Sequence, residues 1–186
     1  MGKSTTGQLL VQKGIPVVDT DEFARSLVEP GQPALDEIVG VFGNGILDSH
    51  GRLRRQALAN LVFADAEKRR TLESILHPRI RAKWLAVVAG WRSENHPLGA
   101  VIIPLLFEVR AEGEFDSAVC VACSSATQWK RLQSRGWDRE AIELRLLAQM
   151  PLNSKLERSD YILWTEGSFG LHGAQLDRII GHVGGG

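Results

Sequence analysis

Met1-Gly2-Lys3-Ser4-Thr5 is the stretch that decides the fold. Gly-Lys-Ser-Thr is the back half of the phosphate-binding pattern G-x-x-x-x-G-K-[ST]. Gly2 has no Cβ, so its backbone can approach a phosphate closely. Lys3 carries a point charge suited to β- and γ-phosphates, and the Ser4 hydroxyl is suited to Mg²⁺. The following residues, Ser4 to Lys13, read as a helix with Gly14 as its C′ glycine. Its N-terminal amides and positive dipole end therefore face the anion. Only Met1 stands before Gly2 in this sequence. The first glycine of the pattern and most of its spacer have no counterpart, so the tetrapeptide also reads as a chance run at a terminus. The rest of the chain has to decide.

Working outward, Ile15-Pro16-Val17-Val18 is a short apolar run of the kind a buried strand shows, and it ends at Asp19-Thr20-Asp21. A second helix follows, with Phe23, Ala24, Leu27 and Val28 on one face. Helix, strand, acidic strand end and helix make α/β grammar. Carboxylates at the C-terminal end of a parallel strand lie where open α/β sheets bind ligands. Asp also caps helices, so one of Asp19 and Asp21 can cap while the other serves chemistry.

The 186 residues fit one domain carrying an inserted subdomain or lid. With 44% hydrophobic and 24% charged residues, the composition is that of a soluble globular protein. Lys+Arg and Asp+Glu both number 22, and this zero net charge argues against nucleic acid or an anionic membrane as partner. No apolar run approaches the ~20 residues of a membrane-spanning helix. The opening residues do not read as a signal peptide, and two cysteines make no disulfide framework, so the expectation is a cytoplasmic protein. Cys120 and Cys123 form C-x-x-C, readable as a redox pair or as two small residues ending a buried strand.

Residues 33–95 read as helical throughout, an insertion in an α/β core. Leu35, Ile38, Val39 and Phe42 face one way. Asp65 caps a helix through Leu76, His77-Pro78 breaks it, and Arg79 to Arg92 forms another. Strand patterns return at Ala100–Pro104, Ser117–Ala122 and Asp160–Trp164. Ser125 with Gln128 has capping-box spacing and starts a helix at Ala126. Residues 126–150 carry Lys130, Arg131, Arg135, Arg139 and Arg145. This is either a solvated surface or a lid that neutralises triphosphate charge. The last helix runs from Leu171 to Ile180, and the final glycines read as disordered.

In order along the chain, these pieces resemble the dephospho-coenzyme A kinase family of P-loop kinases. The resemblance rests on Gly2-Lys3-Ser4, Val17-Val18-Asp19-Thr20-Asp21 with Ala24-Arg25, and Val28-Glu29-Pro30-Gly31. It continues through Arg54-Arg55-Gln56-Ala57-Leu58, Leu76-His77-Pro78 and Pro104-Leu105-Leu106-Phe107-Glu108. It closes with Gln128-Trp129-Lys130-Arg131-Leu132, Arg135 and Ala148-Gln149, and so covers Gly2 to about Ile180. It implies a three-layer α/β fold with a parallel sheet, a helical substrate-binding insertion over 33–95 and a lid over 126–150. It also implies ATP-dependent phosphorylation of the ribose 3′-hydroxyl of dephospho-CoA, the last step of coenzyme A synthesis, using Mg²⁺. Another small-molecule P-loop kinase, for a nucleoside, nucleotide or sugar, or a non-catalytic binder of a CoA-like ligand, stays open as an alternative. The sequence leaves the oligomeric state open.

The resemblance also assigns residues. Gly2, Lys3, Ser4, Thr5 and Arg131 would hold the nucleotide, with Ser4 on the metal. Asp21, Lys3 and Arg135 would be catalytic, Asp21 as the base. Asp19, Arg25, His77, Arg81 and Glu108 would face the acceptor. Trp164-Thr165-Glu166-Gly167 replaces the family's usual Asn-bearing stretch near the adenine, so no adenine contact is assigned there. The family's loop follows a buried strand and a glycine-rich turn. The expectation is therefore that the genuine protein starts about ten or more residues upstream with such a strand. Residues 1–186 alone would then be weakly stable and nearly inactive, with an open groove in the core.

Overall fold

The computed structural model describes residues 2–185. In chain order it contains α1 (Lys3–Gln12), β1 (Val17–Asp19), α2 (Thr20–Ser26), α3 (Pro33–Phe42), α4 (Arg55–Ala64), α5 (Ala66–Ser93), β2 (Ala100–Ile102) and β3 (Val119–Ala122). It continues with α6 (Ser125–Gln133), α7 (Arg139–Leu147), α8 (Leu152–Glu157), β4 (Tyr161–Trp164) and α9 (Phe169–Val183). The chain is an α/β protein with two compact units, Met1–Val17 with Pro97–Gly186, and Val18–His96.

The unit Val18–His96 is helical. Apolar positions at helical spacing bring Leu27, Val28, Leu35, Ile38, Ile46, Leu58, Val62 and Ile75 into one core, with Ile38 fully buried. The break expected at His77-Pro78 does not occur: α5 is one helix of 28 residues with Pro78 inside it. An interior proline loses a backbone hydrogen bond and costs about 3 kcal/mol in a helix. Here packing against α2, α3 and α4 offsets that, burying Ile75 and Trp84 on opposite sides of Pro78 in the sequence. Beside the proline, the Arg79 guanidinium donates to the Ile75 carbonyl at 2.6 Å and pairs with Glu37 at 2.5 Å.

The unit formed by the two chain ends holds β2, β3 and β4. β3 and β4 run parallel, in register from Val119↔Tyr161 to Ala122↔Trp164. The Ala100 N–H at the start of β2 donates to the Pro16 carbonyl at 2.9 Å. Leu9 and Leu10 of α1, Leu163 of β4 and Leu176 of α9 make the core. Both β2 and β3 also line an apolar cavity of about 250 Å³, bounded by residues 98–104 and 117–121 together with Leu10, Leu176 and Ile180.

Three helix boundaries differ from expectation for a local reason. Ser124, not Ser125, caps α6, its hydroxyl accepting the Thr127 N–H at 3.2 Å. Ser168 caps α9, which therefore starts at Phe169 and runs on to Val183. Between α7 and β4, Pro151 precedes a further short helix, α8, which the pattern did not suggest. Of the closing glycines, Gly184 still donates to the Ile180 carbonyl at 2.8 Å, and Gly186 lies outside the described residues, as does Met1. Cys120 and Cys123 are both buried free thiols, and burial pushes the Cys120 thiol up, away from the thiolate that redox exchange needs.

Candidate active site

Gly2 caps α1 in a left-handed conformation, φ +98°. A Cβ there would sit 2.9 Å from the Thr165 methyl, so the site requires glycine on both counts. The Gly2 carbonyl accepts the Thr6 N–H at 2.9 Å and the Thr6 hydroxyl at 3.1 Å. Ser4 is exposed on the first turn, while Lys3 and Thr5 are half-buried. No acidic residue stands in that turn, so nothing opposes an anion at the helix's positive end. Gly2, Lys3, Ser4 and Thr5, the residues expected to bind phosphate, thus stand together at one helix start.

Arg131 lies in the same unit but faces protein groups. Its guanidinium donates to the Thr165 hydroxyl at 2.8 Å and the Thr165 carbonyl at 2.7 Å. Arg135 is exposed at the end of α6, just before Gly136 at φ +81°. The rest of the basic run is partly spoken for: Arg139 pairs with Glu143 at 2.8 Å, and Arg145 stacks over Trp137 at 4.7 Å.

Glu108 engages one carboxylate oxygen, Oε1, while Oε2 is buried without a hydrogen-bond partner among the described residues. Oε1 pairs with Lys155 at 2.8 Å and accepts the Met150 N–H at 2.9 Å. Burial works to raise its pKa, but the Lys155 ammonium and the Met150 amide win and hold the carboxyl below its ordinary value. Glu166, at the turn after β4, accepts the Ser124 N–H at 2.9 Å, the Ser124 hydroxyl and the Trp164 indole N–H at 3.2 Å. The Ser124 and Thr127 hydroxyls together with the Ser124 amide hold its pKa at about 2.

In the helical unit, Asp19 caps α2 by accepting the Asp21 N–H at 2.9 Å. That leaves the Asp21 carboxylate exposed in the first turn. Arg25 is exposed in the last turn of α2 and Arg81 is exposed on α5. His77 is half-buried in α5. Burial lowers its pKa, with Glu73 opposing, so the ring is neutral at pH 7.

Sequence reasoning missed Thr6, Thr165 and His172. Thr6 follows the loop motif directly and is the one with a local signal. Thr165 and His172 come to the loop from more than 150 residues away, which no local spacing records.

The half-loop on a helix start, beside a parallel β3–β4 pair, defines a P-loop kinase. The dephospho-CoA kinase family matches residues 1–170. A dephospho-CoA kinase of Anaeromyxobacter dehalogenans is 40% identical over 186 residues, spanning all of this chain and 88% of its own length. One from Gloeobacter violaceus is 40% identical over 96% of this chain and 86% of its own. The solved structure of the Campylobacter jejuni dephospho-CoA kinase superposes with a TM-score of 0.72 at 25% identity, covering 99% of this chain and 92% of that one. A Thermus thermophilus protein superposes with a TM-score of 0.81 at 32% identity, covering 97% and 91%. The chain belongs to the dephospho-CoA kinase family, whose reaction is the final step of coenzyme A biosynthesis.

Proposed function

We propose that this chain transfers the γ-phosphate of ATP to the ribose 3′-hydroxyl of dephospho-CoA, releasing ADP and coenzyme A. The observation that carries the reading is Gly2. Its left-handed cap, packed against Thr165, opens α1 directly before Lys3 and Ser4. Phosphoryl transfer needs positioning and charge neutralisation more than covalent help. Lys3 and the amides hold the β- and γ-phosphates. The exposed Ser4 hydroxyl would be one oxygen ligand of the Mg²⁺ that accompanies ATP. When bound, that ion supplies charge neutralisation between the phosphates. Asp21 accepts the proton of the 3′-hydroxyl as the new O–P bond forms and the bond to ADP breaks. Arg135 closes over the developing charge.

Arg25, His77 and Arg81 serve the acceptor. Asp19 and Glu108 support the site through the α2 cap and the Lys155 pair. Residues 33–95 act as the substrate-binding insertion and 126–150 as the lid of a single kinase domain. The reaction is placed in the cytoplasm.

The test is ADP production from Mg-ATP with a panel of acceptors. Dephospho-CoA must be preferred over nucleosides, nucleotides and sugars. Thermal stabilisation by dephospho-CoA without ADP formation would make this a binding protein instead. Arg135→Ala should lower kcat more than it raises the KM for dephospho-CoA. The reverse pattern would move Arg135 into substrate recognition.

A further inference from the structure

Thr6 offers one hydroxyl proton, and that proton goes to the Gly2 carbonyl at 3.1 Å. The same oxygen lies 3.0 Å from Nε2 of His172. With its proton committed, the Thr6 oxygen accepts, so Nε2 of His172 is the donor. Both residues are buried. An imidazole donating from Nε2 and neutral overall leaves Nδ1 bare. Burial first, and the Arg131 charge second, lower the pKa of the ring and favour that neutral form.

The same glycine is held from its other side. The Thr165 hydroxyl donates to the Ala122 carbonyl at 3.0 Å and accepts from Arg131 at 2.8 Å, so its methyl is turned toward Gly2. Three distant segments, α6, the end of β4 and α9, thereby converge on the residue that opens α1.

We infer that His172 is a positioning residue for the phosphate-binding turn: its Nε2–H fixes the Thr6 hydroxyl, which fixes the Gly2 carbonyl and so the direction of the Lys3 and Ser4 amides. This rests on the reading of Gly2–Thr5 as the nucleotide site. His172 touches no phosphate itself. Removing it leaves the Thr6 hydroxyl free to turn, and the left-handed cap at Gly2 loses the contact that holds it ready for an anion.

Two measurements on the whole chain decide it. The first is the ¹⁵N spectrum of the imidazoles, with the His172 signals assigned by their loss in His172→Gln. The expected pattern is a protonated Nε2 and an unprotonated Nδ1; a ring protonated at Nδ1 alone overturns the inference. The second is Mg-ATP binding by calorimetry. His172→Leu should weaken binding about tenfold, the scale of one lost buried hydrogen bond. His172→Gln keeps a side-chain N–H donor and should stay within about threefold of the parent. A merely structural role would lower Tm in both variants and leave both affinities alike. Equal affinity in the Leu variant and the parent, or a Gln variant as weak as the Leu variant, overturns the inference. A parent chain that binds no Mg-ATP refutes the proposed function and this inference with it, whereas a parent that binds Mg-ATP while the variants or the tautomer depart from the pattern above overturns this inference alone.

Discussion

The two units of this chain bury different things. The helical unit Val18–His96 closes on aliphatic side chains, and Thr20 is its one buried polar residue among those described. The unit formed by the chain ends buries Thr6, Lys155, Thr165 and His172, and it also contains the apolar cavity beside β2 and β3. Buried polar groups are tolerated only when hydrogen-bonded. Here each one ties together segments distant in sequence. The difference teaches that the helical unit is held by burial of contiguous chain, whereas the sheet unit relies on directed bonds that fix where α1 begins.

The largest expected effect tests whether the helical unit contributes chemistry as well as a core. Asp21→Asn should cut turnover by about 10²-fold or more with ATP affinity near normal. Because Asp19, not Asp21, supplies the capping carboxylate, the fold should be unchanged. Near-normal turnover would end the role given to Asp21 and point to Asp19 of the same unit instead.

Next comes the ion pair in the sheet unit. Lys155→Met strands Glu108 in a largely buried site and should destabilise the protein by about 3–5 kcal/mol, measured by denaturant unfolding. The pH dependence has a definite sign. The folded Glu108 carboxyl titrates below its unfolded value, so the pair's stabilisation is complete above the unfolded pKa and is lost as pH falls through the folded one. In Lys155→Met that acid-side loss should vanish.

A matched pair sharpens the contrast in packing. Ala34, 1% exposed in the helical core, has no room to grow, so Ala34→Val should lower stability by about 1–3 kcal/mol. Ala118 lines the cavity, and Ala118→Val should raise stability by about 0.5–2 kcal/mol. Melting curves showing the same sign for both would mean the two cores are equally full.

The smallest effects lie at caps. Asp19→Ala should cost about 1 kcal/mol. Glu166 titrates at about 2 when folded, so its contribution is present above about pH 4.5 and disappears as pH falls through about 2. Ser124→Ala removes its nearest hydroxyl and should move that titration upward, read by carboxyl NMR.

The sequence by itself determined the class of fold and the start of the site. Gly2-Lys3-Ser4-Thr5 and the strand ending in Asp19-Thr20-Asp21 are local signals, because glycine conformation, capping and apolar period act over a few residues. The helical core was legible for the same reason. Tertiary structure decided the rest. It carried α5 through Pro78, because packing on three helices outweighed the local penalty of the proline. It assigned Asp19 to the cap and left Asp21 exposed. It turned Glu108 inward to Lys155 and Arg131 onto Thr165, and it brought His172 to Thr6. The Glu108, Arg131 and His172 contacts each join partners at least 34 residues apart in sequence, whereas backbone geometry settled the choice between the two aspartates. Hydrogen bonds made after the chain has folded leave no period and no spacing for a sequence to display.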